Sequence, residues 1–208
     1  LDQKVAAARG ANALIVRSET KVDKTFLSGV ERLELIVRAG VGVDNIDVEA
    51  ATRKGIVVQN IPDGNVRSAA EHTIALILAL ARHGPQANLS MKEGKWERTK
   101  FTGVEVRGKT LGVIGLGKIG RHVVQMANGL GFRILASDPF VSPRLAEELG
   151  VELVRGPAEL AERVDFLTVH VPGGPDTKGL IGEDILRRAK QGIRIINCAR
   201  GGIVDEAA

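Results

Sequence analysis

The sequence predicts an α/β protein of two domains, each built on a parallel sheet. Three observations support this fold class: short apolar segments recur along the chain, helical patterns separate them, and one long apolar helix interrupts the alternation. Strands that are apolar throughout and joined by helices are typical of a parallel sheet covered on both faces. We place the first domain at residues 1–64, an interdomain helix and crossing segment at 65–108, and the second domain at 109–208.

The sequence predicts a helix and three strands for the first domain. The opening "LDQKVAAARG" is typical of a helix that ends at Gly10. Apolar strands follow at "ALIVRS" (13–18), "LELIVRAG" (33–40) and "IVVQN" (56–60). Between the last two, "DVEAATRKG" has acidic residues early and a glycine at its end, as helices prefer.

Residues 65–83, "NVRSAAEHTIALILALARH", predict a long helix. Its apolar residues lie nearly all round, which is typical of a helix buried on every side, so we expect it to join the two domains. The polar stretch "EGKWERTKFTGVEVRGKT" that follows has no period, and we interpret it as the crossing into the second domain.

The second domain carries a glycine motif in the context that a dinucleotide requires. "GLGKIG" (115–120) follows an apolar strand and opens a helix. Gly115 permits a tight turn, Gly117 lets the backbone approach a pyrophosphate, and Gly120 allows close packing of helix on strand. Asp138 ends the next strand, 18 residues after Gly120, where a carboxylate accepts hydrogen bonds from the adenosine ribose. No cation follows it directly, which favours NAD over NADP.

A second phosphate pattern is interpreted as a chance match. "GVEVRGKT" (103–110) fits the P-loop of ATPases and GTPases. A P-loop follows a strand and leads into a helix, whereas here the apolar strand comes after Thr110.

A second glycine turn, "RAGVGVDNID" (38–47), also ends a strand. Gly40 and Val41 expose backbone amides there, and Arg38 and Arg17 stand at the ends of their strands. Strand ends of a parallel sheet share one edge, so we expect a cationic ligand edge; ordinary surface charge is the alternative.

Two acidic residues in that turn raise the question of a metal. Asp44 and Asp47 carry suitable oxygens, but Asp47 precedes a helical pattern and is more naturally its cap. We therefore predict no metal site.

Composition narrows the functional classes further. The net charge is +4, but aromatic residues make up only 3%, so we expect no nucleic-acid partner. The longest apolar run, residues 74–81, is far short of the ~20 residues that span a bilayer, so we expect no membrane partner. The single cysteine, Cys198, favours a cytoplasmic location.

Taken together, "RAGVGVDNIDVEAATRKGIVVQNIPDGN", "SAAEHTIALILALAR", "GKWERTKF", "GKTLGVIGLGKIG" and "NCARGGIVDE" resemble the D-isomer-specific 2-hydroxyacid dehydrogenase family over most of the chain. The resemblance implies a flavodoxin-like substrate domain and a Rossmann-type NAD domain, joined by helices, with the active site in the cleft between them. "GKWERTKF" and the long first stretch are similar to the branch that oxidises 3-phosphoglycerate to 3-phosphohydroxypyruvate with NAD, the entry to serine synthesis. Members of that branch are homodimers or homotetramers.

The resemblance also implies roles for individual residues. Arg200 corresponds to the catalytic arginine that holds the substrate carboxylate and C2 oxygen. The implied cofactor contacts are Gly115, Gly117, Lys118, Ile119, Gly120, Asp138, Val171, Cys198, Ala199, Arg200 and Val41, the last at a position that is often Thr in close relatives. The implied substrate contacts are Arg17, Arg38, Gly40, Asn65 and Arg98, with Arg98 on a segment that reaches a neighbouring subunit's active site.

The catalytic base has no counterpart in the chain. Of the four histidines, only His170 lies near the edge of the sheet where the cofactor is expected. In the family, the corresponding histidine lines the pocket and does not act as the base. The family's base is a histidine later in the chain, oriented by a glutamate, so we expect this chain to be an inactive fragment truncated at both ends. Two alternatives stay open for the parent: a hydroxypyruvate or glyoxylate reductase of the same family, and an NAD-sensing corepressor that only binds.

Overall fold

The computed structural model describes residues 2–208. The chain divides into two compact units, Leu1–Val66 and Arg67–Ala208. Among the helices of the described residues, none has both the length and the apolar character that a membrane crossing requires.

The first unit contains a three-stranded parallel sheet in the order β1-β2-β3. The strands are β1 (Ala13–Val16), β2 (Leu35–Arg38) and β3 (Val57–Asn60), and their register aligns Val16, Arg38 and Asn60 at one edge. The helices are α1 (Asp2–Ala8), α2 (Lys24–Ser28) and α3 (Val48–Arg53). All three predicted strands are therefore present, within shorter bounds.

Two aspartates begin the helices that follow β1 and β2. Asp23 caps α2 by accepting a 3.0 Å hydrogen bond from the Phe26 amide. Asp47 caps α3 in the same way, accepting from the Ala50 amide at 2.8 Å, as predicted. Each side chain satisfies one of the amides that a helix leaves without a partner in its first turn.

In the described residues of the first unit, apolar side chains of the sheet are buried on one face and exposed on the other, so the prediction of two covered faces is wrong for this part of the chain. Phe26, Leu27 and Ile36 are fully buried within the unit's core. Ile15 and Val57, by contrast, are 74% and 56% exposed. Successive residues of a strand point to opposite faces of the sheet. A strand that is apolar throughout therefore indicates that both faces can be buried, but it does not indicate which segment covers each face.

Two consecutive helices lie at the start of the second unit. The predicted long helix is α4 (Val66–Arg82). It is buried along one face, through Ala70, Thr73, Ile77 and Ala81, rather than on every side. Leu76 and Leu80 on another face are 37% and 41% exposed. A second helix, α5 (Gly84–Lys92), follows directly and was not predicted.

The second unit contains a five-stranded parallel sheet in the order β6-β5-β4-β7-β8. The strands are β4 (Thr110–Ile114), β5 (Arg133–Ser137), β6 (Glu152–Leu153), β7 (Phe166–Val169) and β8 (Arg194–Asn197). The helices are α6 (Lys118–Gly129), α7 (Pro143–Glu148), α8 (Pro157–Arg163) and α9 (Glu183–Arg188), with a 3-10 turn at Pro175–Thr177. The chain moves outward from β4 to β6 and then returns to β7, so the strand order reverses beside β4. β6 is a two-residue edge strand that was not predicted.

Both faces of this sheet are covered, as predicted for the second domain. Leu111 and Val113 of β4 belong to one buried cluster, while Ile114 belongs to another. Leu135 of β5 and Leu167 of β7 join the Ile114 cluster. The alternation along β4 places a separate apolar core on each side of the sheet.

Candidate functional site

The glycine turn after β4 has the geometry that its three glycines predict. Gly115 has a φ of +92°, and a Cβ there would lie 2.8 Å from the carbonyl oxygen of His170, so no larger residue fits. At Gly120 a Cβ would overlap the carbonyl oxygen of Gly115, because α6 packs directly on the turn. At Gly117 a Cβ would meet nothing within 4 Å. The backbone at Gly117 is therefore open to a ligand.

Gly117 also caps the N-terminus of α6, a helix of 12 residues. The first amides of such a helix have no partners within it and carry partial positive charge, which favours a phosphate group. Lys118 is the first residue of the helix and is exposed; Ile119, next to it, is partly buried. The turn thus offers open backbone and a helix N-terminus at one place.

Asp138 follows β5 and is held by two backbone amides. Its Oδ2 accepts from Leu116 at 2.7 Å, and its Oδ1 accepts from Phe140 at 2.8 Å. A carboxylate has about four lone-pair sites, so both oxygens can still accept ribose hydroxyls. The carboxylate is fixed against the glycine turn, where a dinucleotide places its adenosine ribose. Its charge opposes a 2′-phosphate there.

His170 and Val171 lie at the end of β7, beside the same turn. The His170 amide donates to Ile114 at 2.7 Å, and Val171 Cγ1 would lie 3.0 Å from a Cβ on Gly115. Burial lowers the pKa of His170 to about 4, and its Nε2 lies 3.0 Å from the hydroxyl of the fully buried Thr168. His170 is therefore neutral at pH 7.

The segment after β8 carries Cys198, Ala199 and Arg200, all partly buried. The Arg200 Nη1 donates to the carbonyl oxygen of Ala199 at 2.9 Å. The side chain of Asn197 bonds to this segment twice, accepting from the Ala199 amide at 3.0 Å and donating to the Arg200 carbonyl at 2.8 Å. Sequence reasoning missed Asn197, although an asparagine two residues before a backbone amide is a known turn signal.

The sheet gathers the predicted cofactor residues of the second unit at one edge. Gly115, Asp138, Val171 and Cys198 follow β4, β5, β7 and β8 respectively, and these strands are parallel. Ligands of such sheets bind at the carboxyl ends of the strands, where the strand order reverses. The edge of this sheet is therefore the candidate cofactor site.

The first unit holds a separate cationic turn. Arg38 is only 7% exposed, and its Nη1 donates to the Ala39 carbonyl at 3.2 Å. Its Nε is buried without a hydrogen-bond partner. Gly40 has a φ of +153°, and a Cβ there would overlap the Arg38 guanidinium. An unsatisfied buried N–H of a cation is a donor suited to an anion.

The remaining predicted site residues belong to both units. Val41 follows Gly40, and its carbonyl accepts from the Asn60 side chain at 2.7 Å. The Arg17 carbonyl accepts from Asn45 at 3.0 Å. Asn65 immediately precedes α4. Arg98, of the second unit, lines a depression with Met91, Trp96 and Phe101.

The P-loop match is structural rather than functional. A Cβ on Gly103 would overlap the carbonyl oxygen of Ala81, and the Gly108 amide donates to Gly131 at 2.8 Å. β4 begins at Thr110, the last residue of the motif, so the strand follows the loop instead of preceding it, as the sequence indicated. Within residues 2–208, no group of three or more His, Cys, Asp or Glu side chains is placed to hold a metal ion.

The strand order, the glycine turn on a helix N-terminus and the aspartate after β5 define a Rossmann-type dinucleotide-binding domain. Residues 74–208 match the family described as D-isomer specific 2-hydroxyacid dehydrogenase, NAD binding domain. The chain belongs to the D-isomer specific 2-hydroxyacid dehydrogenase family, and NAD is the cofactor of the domain it carries.

Characterised relatives agree with this assignment. The chain is 56% identical over 196 residues to a D-3-phosphoglycerate dehydrogenase of Archaeoglobus fulgidus, covering 94% of this chain and 37% of the relative. It is 48% identical over 207 residues to the Homo sapiens protein of the same name, covering 100% of this chain and 39% of that relative. A D-lactate dehydrogenase from Aquifex aeolicus, solved with NAD and lactic acid, superposes with a TM-score of 0.87 at 32% identity, over 97% of this chain and 60% of that one. The chain thus spans well under half the length of both D-3-phosphoglycerate dehydrogenases.

Proposed function

We propose that the protein containing this chain oxidises 3-phospho-D-glycerate to 3-phosphohydroxypyruvate and reduces NAD, the first step of serine biosynthesis. The observation that carries the proposal is the 48% to 56% identity, over 94% to 100% of the chain, with relatives named D-3-phosphoglycerate dehydrogenase. The open glycine turn and the cationic turn supply the two kinds of binding group that such a reaction requires.

In this proposal the second unit holds the cofactor. Backbone at Gly115, Gly117 and Gly120, with Lys118 and Ile119, binds the pyrophosphate, and Asp138 binds the ribose. Val171, Cys198 and Ala199 lie along the nicotinamide half, and Val41 of the first unit contributes backbone only, since its side chain has no polar atom. Bound NAD supplies the acceptor for the hydride that leaves C2 of the substrate.

Arg200 is proposed as the catalytic arginine. A guanidinium presents paired donors that match a carboxylate and a neighbouring oxygen, and its charge stabilises the developing C2 carbonyl. The C2–H bond breaks as hydride leaves, and the hydroxyl proton passes to a base. His170 is a poor base near neutral pH because its pKa is about 4. We propose that a residue outside these 208 accepts the proton, so that this chain alone does not turn over.

The substrate-side groups are proposed to be Arg17, Arg38, Gly40 and Asn65 of the first unit and Arg98 of the second. Arg38 offers the clearest support, because its buried Nε requires an acceptor and Gly40 leaves the guanidinium room. The chemistry of this set suits an anionic substrate.

A homo-oligomer, dimer or tetramer, is proposed from the surface of the second unit. Large apolar side chains are exposed on α4, on α5 and just after α5: Leu76, Leu80, Leu89, Met91 and Trp96. Exposed large apolar side chains on neighbouring elements are a feature of interaction surfaces, and a second copy of the chain is the occupant we propose. Arg98 lies beside this surface and would reach the partner's substrate phosphate. A cytoplasmic location stays a prediction from the single cysteine.

A substrate panel with the full-length protein tests the proposed function. NADH formation is measured with 3-phosphoglycerate, glycerate, glycolate and D-lactate. We expect the highest kcat/KM for 3-phosphoglycerate, because the phosphate adds a charged contact. A preference for glycerate or glycolate would instead show a hydroxypyruvate or glyoxylate reductase. NADH binding without turnover of any of the four would indicate a binding protein.

A further inference from the structure

The side chain of Asn197, the last residue of β8, makes two hydrogen bonds with the segment that carries Arg200, one with the Ala199 amide and one with the Arg200 carbonyl. Its Oδ1 accepts from the Ala199 amide at 3.0 Å, and its Nδ2 donates to the Arg200 carbonyl at 2.8 Å. Asn197 is itself exposed. Its contribution is therefore expected from these bonds rather than from packing in a core.

The bond to the Ala199 amide also connects Asn197 to the Arg200 guanidinium, through the backbone of Ala199. The Ala199 peptide is held at its amide by Asn197, and its carbonyl accepts from Arg200 Nη1 at 2.9 Å. A single asparagine thus fixes both the backbone of Arg200 and the peptide on which the guanidinium rests.

A neighbouring loop lies against the aliphatic part of the Arg200 side chain. A Cβ on Gly173 would lie 3.0 Å from Arg200 Cγ, so the stem lies against the Gly173 backbone. That loop is fixed in turn, because the Thr177 hydroxyl donates to the Pro172 carbonyl at 2.7 Å. After Arg200, the Gly179 amide donates to Gly202 at 2.7 Å.

We propose that Asn197 is a positioning residue that aims Arg200, an inference that rests on the proposed role of Arg200 in substrate binding. A free arginine side chain loses considerable rotamer entropy when it is ordered. A group already aligned before substrate arrives avoids that loss, and a displacement of about 1 Å can cost up to about a hundredfold in rate.

The test uses the full-length protein and a double-mutant cycle. Asn197→Ala, Arg200→Ala and the double variant are compared by kcat and KM for 3-phosphoglycerate and by Kd for NADH. We expect Asn197→Ala to lower kcat/KM between about tenfold and about a hundredfold, with the NADH Kd changed by less than about twofold. In the Arg200→Ala background the same change should have almost no further effect, because Asn197 acts through Arg200.

Two further variants sharpen the result. Asn197→Asp keeps the acceptor for the Ala199 amide and loses the donor to the Arg200 carbonyl. We therefore expect its kcat/KM to lie between those of Asn197→Ala and wild type. Asn128→Ala is the matched control: Asn128 is also exposed and donates to a backbone carbonyl, that of Leu149 at 3.2 Å, and its loss should leave kcat/KM unchanged. Losses that simply add in the cycle would overturn the proposal.

Failure of the proposed function is separable from failure of this inference. If the parent turns over no 2-hydroxy acid, or if Arg200→Ala leaves kcat/KM unchanged, the proposed function or the role of Arg200 has failed. Hydrogen exchange of the Ala199 amide in full-length protein then tests whether Asn197 holds the turn. We expect exchange to be about tenfold faster in Asn197→Ala. An unchanged rate would overturn the inference in either case.

Discussion

The Leu116 amide donates to Asp138 Oδ2 over 2.7 Å, so the carboxylate proposed to bind the adenosine ribose also holds the glycine turn. Removing it with Asp138→Ala should raise the Kd for NAD by about tenfold or more, because a ribose contact and the turn's support are lost together. Calorimetric titration with NAD measures this change. Asp184→Ala, at an exposed aspartate of α9, should leave the Kd unaltered. Equal affinity in Asp138→Ala and wild type would remove Asp138 from the cofactor site.

Two glycine substitutions should separate folding from cofactor binding. Gly117→Ala places its methyl group in open space, so the free energy of unfolding should fall only by the cost of a poorer helix cap, about 0.5–1 kcal/mol, while NAD binding is lost. Gly120→Ala drives its methyl group into the Gly115 carbonyl and should cost about 1–3 kcal/mol of stability as well. Denaturant unfolding and NAD titration of both variants check this. Normal NAD binding by a well-folded Gly117→Ala would mean that the pyrophosphate lies elsewhere.

Stability should fall on acidification partly because of His170. Burial lowers its pKa in the folded protein to about 4, whereas the unfolded chain takes up the proton near the ordinary value of 6.5. The unfolded state therefore binds more protons between about pH 4 and 6.5, and the free energy of unfolding should drop through this window as pH falls, by roughly 1 kcal/mol per pH unit at most. His170→Gln should show a shallower decline than wild type in denaturant titrations across that range. Parallel curves would show that His170 is not buried in the neutral form.

The close packing of Gly40 on Arg38 predicts a substrate effect without a cofactor effect. Gly40→Ala introduces a methyl group where the guanidinium lies, at a φ of +153° that alanine rarely adopts. We expect KM for 3-phosphoglycerate to rise by about tenfold or more while the NADH Kd changes little, because a displaced Arg38 no longer meets the substrate. Arg53→Ala removes an exposed arginine of α3 and should alter neither quantity. A rise in both constants would point to general disruption instead.

Local chemistry in the sequence predicted the geometry of the glycine turn after β4, while the cofactor contacts of its residues stay predictions. The glycines at 115, 117 and 120 each have a steric reason that one residue can reveal, and the structure reproduces all three. Asp47 was predictable as a cap for the same reason, since its partner is three residues away. Asn197 was overlooked because its effect passes through the peptide of a neighbour rather than through its own contact with a ligand.

What the sequence could not predict depends on partners distant in the chain. Apolar residues at Ile15 and Leu76 indicated buried surface, yet these side chains are exposed here, because composition does not say which segment provides the cover. The two-residue strand β6 is too short to show an alternating pattern of apolar and polar residues. It is a strand because it pairs with β5. The lowered pKa of His170 likewise arises from burial, which depends on the folded surroundings of the ring rather than on the local sequence.

The most direct test of the central claim is the kinetics of Arg200→Lys in the full-length protein with 3-phosphoglycerate and NAD. Lysine keeps the charge but lacks the paired donors, so kcat/KM should fall by about a hundredfold or more while the NADH Kd stays within about twofold of wild type. An unchanged kcat/KM would contradict the assignment of Arg200 to the substrate.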